Sequence, residues 1–567
     1  MGIPSISVSQ QSDRPSSLLP DIDPQHIEIR GDFEVRFSGL SRQPILGFNP
    51  RPPVYRIDPD RMPFLESDEE IVASIPLSQL EPALKPEQRF ITFAERRNGY
   101  VEGGLGSFSS PELLALYEAP IRDNESIAAH FSFLSSDGDR DFSSYRDVDT
   151  GLQWSRTAER NRWGLGLNAS SAFNYSPEPE PLGSYTLSGT LTPGMFVLSG
   201  PQKLEHQSFS LEGRWQQLQH AWRGWQSSLS LHHFSNDGRF LWDERAETEE
   251  NRYRFYLNRF WEGRLMEQAF GLQFYSAGSS YDTGIDYSQY WLTNSFAARY
   301  HHIFNHIHRF EARLQFFQLY DPVNEHDLFL YPDLLYNFLG TGFLSASIRV
   351  RGFVNDPSLE SLFDNNRFVI QSGKELQHER GLHVHLRGGA ELRPEIKVYS
   401  GVHYWQYYQK GYFSRNIEPE IPYYAFYYID DATHLQWYGG AESVWPVWGI
   451  SLMAEVAVNY SSVSKNDIPS GEIPYVPVWE GSVTFKAQPA ERLSLSAWLN
   501  LSGKRSTYLA DSTVSGYTVA GARVDFRINR HFSLYGKSRN ILDSNYEIWQ
   551  NYIERPFQVY GGLTFIW

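Results

Sequence analysis

The 567-residue sequence contains no cysteine and only 5 methionines. Without thiols there is no disulfide framework, no thiol nucleophile and no thiolate metal site, which fits an extracytoplasmic compartment. No run approaches the ~18 consecutive apolar residues of a membrane-crossing helix, and the mean hydropathy is −0.46. A β-barrel survives that test, because a strand in lipid needs only every second residue apolar over about 9–11 residues. Positive charge is also scarce: 50 Lys and Arg face 67 Asp and Glu, a formal net charge of −17, which argues against nucleic acid as a partner. Nucleophile-elbow, phosphate-loop and zinc motifs are missing, so neither an enzyme nor a cofactor is expected. The opening stretch, Met1 to Gln11, lacks the basic and apolar segments of a secretion signal; the expectation is a mature sequence with its signal removed.

What the sequence does have is aromatic residues, 15% of the whole, with 34 Tyr, 37 Phe and 16 Trp. It is also divided in texture. Residues 1–97 hold 13 of the 32 prolines and an acidic run from Glu66 to Glu70, so they read as a largely irregular arm rather than a packed domain. From Asn98 onward, apolar and polar residues alternate. Phe310, Ala312, Leu314 and Phe316 oppose Arg309, Glu311, Arg313 and Gln315. Leu344, Ala346, Ile348 and Val350 oppose Ser345, Ser347, Arg349 and Arg351, and Leu493 to Leu501 repeat the pattern. A period of two is a strand with one apolar face. Roughly 22 such segments, joined alternately by short turns and long polar connections, are the spacing of a large outer-membrane barrel. A propeller would repeat a motif every 40–50 residues or so, and none is visible. The fold class expected is therefore all-β: a large antiparallel transmembrane β-barrel over 98–567, preceded by the proline-rich arm 1–97. In such a barrel Tyr and Trp collect at the two lipid–water boundaries.

Several groups of residues are candidates for chemistry. His383, His385 and Arg387 share the polar face of one strand, as Arg349 and Arg351 do on another and Arg309 and Arg313 on a third. In a barrel these line the lumen, where a basic patch attracts anionic solutes. Equally, they pair with Glu311, Glu455 and Asp525, or with the acidic arm. His301, His302, His306 and His308 lie close in sequence, but with Glu311 as the one nearby carboxylate they read as hairpin-end residues rather than a metal site. Asp137, Asp139 and Asp141 are spaced like a calcium loop, yet Phe142 occupies the position that requires glycine and Val148 the last ligand position. The densest aromatic stretch runs from Tyr404 to Asp431; its part between Tyr412 and Pro422, with Tyr412, Phe413 and Arg415, reads as a loop rim able to bind a sugar or a partner protein.

The C-terminal hundred residues resemble the end of a TonB-dependent receptor barrel. The likeness is carried by Ile473 to Phe485, by Ser533 to Tyr546 with Asn540, Ile541, Leu542, Asp543 and Tyr546 at the turn, and by the closing stretch Arg555 to Trp567. Asn98 to Ile121 is similar to an opening hairpin of plug-poor relatives. The resemblance implies an outer-membrane barrel of a Gram-negative bacterium, surrounded by outer-membrane lipids. It also implies that Leu563, Phe565 and Trp567 form the signal read by the outer-membrane insertion machinery. Family members carry an N-terminal plug and a box that binds an energy-coupling protein; residues 1–97 are too few and too proline-rich for that plug, and Ser5 to Gln10 is a faint counterpart of the box. The function expected is transport, or a channel, for an unknown solute. The alternative is a scaffold barrel holding a surface lipoprotein or a separate plug protein.

Overall fold

The computed structural model describes residues 98–139, 143–175, 203–217, 224–239, 245–263, 267–282, 288–304, 307–340, 343–369, 375–415, 424–445, 449–550 and 552–567. The proline-rich arm, His306 and Asp141 lie outside the described residues.

Strands pair antiparallel with their sequence neighbours all the way round, and the first, Gly99–Gly106, pairs with the last, Gln558–Ile566. The main sheet has 23 strands. One of them, Tyr424–Ile429, only extends the top of the strand Ile396–Arg415, so the closed ring has 22. Closure leaves no unpaired edge, which is what allows a sheet to cross lipid. One end carries tight turns, at 123–124, 159–160, 394–395 and 491–492; Asn98 and Trp567 lie at that end too. Long connections, such as 356–378 and 540–557, are at the other. Short turns mark the periplasmic side and long loops the cell surface.

The burial pattern is that of a soluble protein turned inside out. Phe296, Leu314, Phe316, Leu344 and Ile348 are exposed, Leu314 by 52%, whereas Arg309, Glu311, Asp333 and Arg349 are buried. The period of two read from the sequence therefore sends its apolar face to lipid and its polar face to the lumen. Aromatic girdles bound the apolar belt. Trp163 and Trp215 lie 6.0 Å apart at the short-turn end, where Arg259 sits over Trp225 and Trp261. Tyr290 and Tyr320 stack at 4.5 Å at the opposite end. Many strands outrun the ~9–11 residues that lipid requires: Arg245–Glu262 has 18 and Ile396–Arg415 has 20. Much of what the sequence presents as long polar connections is thus strand standing above the membrane.

The seam between first and last strands is fastened from inside. Asn98 and Gly99 donate backbone N–H groups to the Trp567 carbonyl at 2.7 and 3.1 Å. Arg523, on Tyr517–Arg527, reaches past two strands to Glu102 at 2.7 and 3.0 Å. Lys537 and Tyr535, on Phe532–Arg539, likewise reach past two strands to Glu112 at 2.7 and 2.6 Å. Glycines under these side chains make the reach possible. A Cβ on Gly104 would lie 2.3 Å from the Tyr535 hydroxyl, and one on Gly562 2.7 Å from its ring.

Candidate functional site: the basic lumen wall and the surface cap

The structure brings the seven residues singled out by sequence, Arg309, Arg313, Arg349, Arg351, His383, His385 and Arg387, onto one face of adjoining strands, opposite the exposed apolar side chains. Strands Gln289–Phe304, His308–Tyr320, Asp327–Leu339, Leu344–Asn355 and Glu379–Arg393 lie side by side. Glu311 accepts from Arg299 at 2.7 Å and from Arg309, and Asp333 accepts from Arg349 at 2.9 Å and from Arg313. Each carboxylate thus serves two guanidinium groups of the described residues. Charge-assisted bonds of this kind are the strong ones, and they explain how so much charge is held in a wall facing away from bulk water.

Beside these clusters lies a ladder of imidazoles. Arg351 donates from Nε to His383 Nδ1 at 3.3 Å. A ring nitrogen that accepts has no proton, so His383 carries its proton on Nε2 and donates it to His403 Nδ1 at 2.9 Å. His385 Nε2 bonds the Tyr438 hydroxyl at 2.7 Å. His385 and His403 stack at 4.0 Å, and His383 and Trp405 at 4.7 Å. Arg387 lies 4.9 Å over the ring of Tyr399. Sequence reading missed Arg299, His403, Trp405, His434 and Tyr438. The signal was available for His403 and Trp405, which alternate within Ile396–Arg415, but the aromatic density there drew attention to the loop instead.

The bonded ring nitrogens of this ladder are taken up by Arg351, by Tyr438 and by the His383–His403 pair. Among the described residues no group of three or more His, Asp or Glu is arranged to hold a metal ion. The other histidine group is divided between the two faces of the sheet: His301 faces the lumen within 3.8 Å of Glu311, while His302 packs on Phe304 and His308 bonds Tyr336. Asp139 accepts from Ser143 in a surface loop at 3.5 Å.

At the cell-surface end the long connections fold over the mouth. The helix Leu359–Asn365 starts at Ser358, whose side chain accepts from the Ser361 N–H. It is held against strands Gly224–Arg239 and Arg245–Glu262: Glu250 accepts from Ser358 Oγ at 3.1 Å and from the Leu359 N–H at 2.9 Å, and Glu360 bonds His232 at 2.8 Å and Arg252 at 3.2 Å. Burial pushes the Glu360 carboxyl up, but His232 and Arg252 outweigh it and hold the group down at about 2. Further along, Phe368 packs 3.7 Å from Tyr552, and Trp549 joins Tyr424, Phe413 and Tyr475 in one apolar cluster. Burial pushes the Tyr475 hydroxyl up to about 12. Tyr412 and Phe413 are buried in this cap, on a strand hairpin with Tyr424–Ile429, and are not presented as a rim; Arg415 pairs in register with Tyr424 at the hairpin's end. The long strand Ile396–Arg415 carries them above the membrane, where the other loops cover them.

No family model matches the sequence, and no curated protein matches it either. Solved structures do. The ferric-catecholate import receptor Fiu from E. coli K12, in its closed form, superimposes with a TM-score of 0.60 at 10% identity, covering 83% of this chain and 82% of that one. The siderophore receptor PirA from Acinetobacter baumannii gives 0.63 at 12%, covering 83% and 81%. The FrpB iron transporter from Neisseria meningitidis gives 0.64 at 8%, covering 84% and 82%. The barrel fold is shared with these receptors. At such identities the likeness concerns the fold alone, and the solute has to be argued from the wall itself.

Proposed function

We propose that this chain is a transport barrel of the Gram-negative outer membrane and that it passes an anionic solute through its lumen. The observation that carries the reading is the basic wall, where Arg299, Arg309, Arg313 and Arg349 share Glu311 and Asp333 inside a chain of net charge −17. A charged lining selects the opposite sign of solute. The shared fold supports transport, since the structural neighbours include a ferric-catecholate import receptor and an iron transporter; an anionic ferric chelate is the natural first solute to try. The apolar belt and closed ring support residence among outer-membrane lipids, and the outward-facing Leu563 and Trp567 support handling by the insertion machinery. The test is accumulation of radiolabelled chelates, graded in charge, by cells with and without the gene. Uptake is expected to rise with negative charge. Replacing Arg349, Arg351 and Arg387 together by Gln should reduce it roughly tenfold at equal outer-membrane abundance, the scale of one or two lost charge contacts. Uptake that ignores solute charge, or the triple replacement, would overturn the reading.

A further inference from the structure

The outer face of the ring is not smooth. Where Ser110–Arg122, Glu125–Ser136, Tyr145–Ala158, Asn161–Tyr175 and Lys203–Gln217 run side by side, it carries a recess of about 370 Å³. That lies within the ~300–1,000 Å³ of sites that hold small molecules. The register explains it. Tyr117 stands opposite Ala129, Phe131 opposite Thr150, and Ala169 opposite both Thr150 and Phe209. Three small side chains thus form a floor between three aromatic walls, on the face where Tyr117, Leu152 and Phe209 are exposed. Thr150, the polar side chain on that floor, donates its hydroxyl to the His130 carbonyl at 3.2 Å, so the recess presents apolar surface to the membrane.

Toward the short-turn end the same face finishes in a pair of guanidinium groups. Every second residue from Phe131 leads through Ala129 and Ile127 to Glu125, and from Thr150 through Leu152 and Trp154 to Arg156. Glu125 lies 3.4 Å from Arg156 and 3.9 Å from Arg122, looser than the ~2.7–3.2 Å of a good hydrogen bond. The two arginine side chains are 47% and 72% exposed, and Arg156 stands opposite Trp163 in the aromatic girdle. We propose that this face holds one phospholipid of the periplasmic leaflet. Its phosphate sits on Arg156 and Arg122, and one acyl chain runs along the strands into the recess. A guanidinium fork matches phosphate oxygens, and a tryptophan beside it fixes the depth of the boundary. The adjoining turns carry Asp123, Glu159 and Arg160, so the patch as a whole is balanced and the feature recognised is the phosphate group. The lengths agree. Glu125 to Phe131 covers about 20 Å along the strand, and half of the ~30 Å hydrocarbon core, crossed at a strand tilt of about 40°, is also about 20 Å. The seating rests on residence in the membrane and is independent of which solute crosses the lumen.

Native mass spectrometry of the full chain in mild detergent, stripped of lipid and given phosphatidylglycerol back, reads the site directly. The parent should retain a single molecule under activation that removes the rest. Diacylglycerol with the same chains should be retained severalfold less, because it lacks the phosphate. Ala129→Phe combined with Ala169→Phe fills the recess and should lower phosphatidylglycerol retention severalfold. Ala298→Phe, on the outer face of Gln289–Phe304 opposite the exposed Leu314, should not. Arg122→Gln combined with Arg156→Gln leaves the recess intact and should lower retention by a similar factor. Each variant is first shown to be a heat-modifiable barrel. Retention unchanged in either double variant, or equal for phosphatidylglycerol and diacylglycerol, would overturn the proposal. So would a preference for lipid A, which belongs to the opposite leaflet. Solute uptake that ignores charge would strike the transport reading and leave this result untouched.

Discussion

Trp567 ends the chain as both a girdle residue and half of the seam: its ring stacks on Phe565 at 5.1 Å and its carbonyl takes the first backbone bonds of the opening strand. A charge on the lipid face costs about 2–4 kcal/mol for Lys or Arg at mid-membrane, and less for Asp or toward the boundary. Changing Phe565 and Trp567 both to Asp should therefore leave a barrel stable enough to exist, yet the fraction assembled, read as heat-modifiable protein in outer membranes, should fall by more than tenfold. Normal assembly would show that the closing strand is not a signal here. Gly104 makes a different case. Gly104→Val places carbon where the Tyr535 hydroxyl crosses to Glu112, so the seam must shift or lose that staple. The variant should still insert, and its heat-modifiable band should convert at a lower temperature than the parent's by several degrees; an unchanged conversion temperature would mean that the inner staples contribute little to closure.

At the scale of elements, the strands were legible in the sequence and the cap was not. Lipid demands alternation at every strand, so Phe310 to Phe316 or Leu493 to Leu501 declare their face locally. The lumen position of Arg309, Arg349 and His383 follows from the same parity. Nothing local announces that Glu250 caps a helix more than a hundred residues away, or that Phe368 meets Tyr552. Those contacts depend on which loops face one another across a ring. The aromatic run around Tyr412 was misleading for this reason, since density alone does not distinguish a binding rim from the interior of a cap. The latch at Glu360 gives the cap a pH dependence of known sign. Its carboxyl is held at about 2 instead of 4.5. The contribution is therefore complete above about 4.5 and is lost as pH falls from there through 2. Protection factors over 356–369, with the intrinsic pH dependence of amide exchange divided out, should be equal at pH 7 and 5 and lower at pH 3, with the barrel strands still protected. Glu360→Gln should exchange faster at pH 7 and lose most of the acid step; exchange identical to the parent's would remove Glu360 from the latch.

For the whole molecule, the ring and the wall of Arg313, Arg349, Arg351 and Arg387 make one account: a conduit whose lining, as proposed above, selects by charge. The measurement that tests it most directly is single-channel recording in planar bilayers under a salt gradient, comparing the parent with the variant in which Arg349, Arg351 and Arg387 are all Gln, each first shown to be a heat-modifiable barrel. A reversal potential on the anion side in the parent, moved towards zero in the variant, is the result the account requires. A reversal potential unchanged by the replacement, or a parent pore that favours cations, would contradict it.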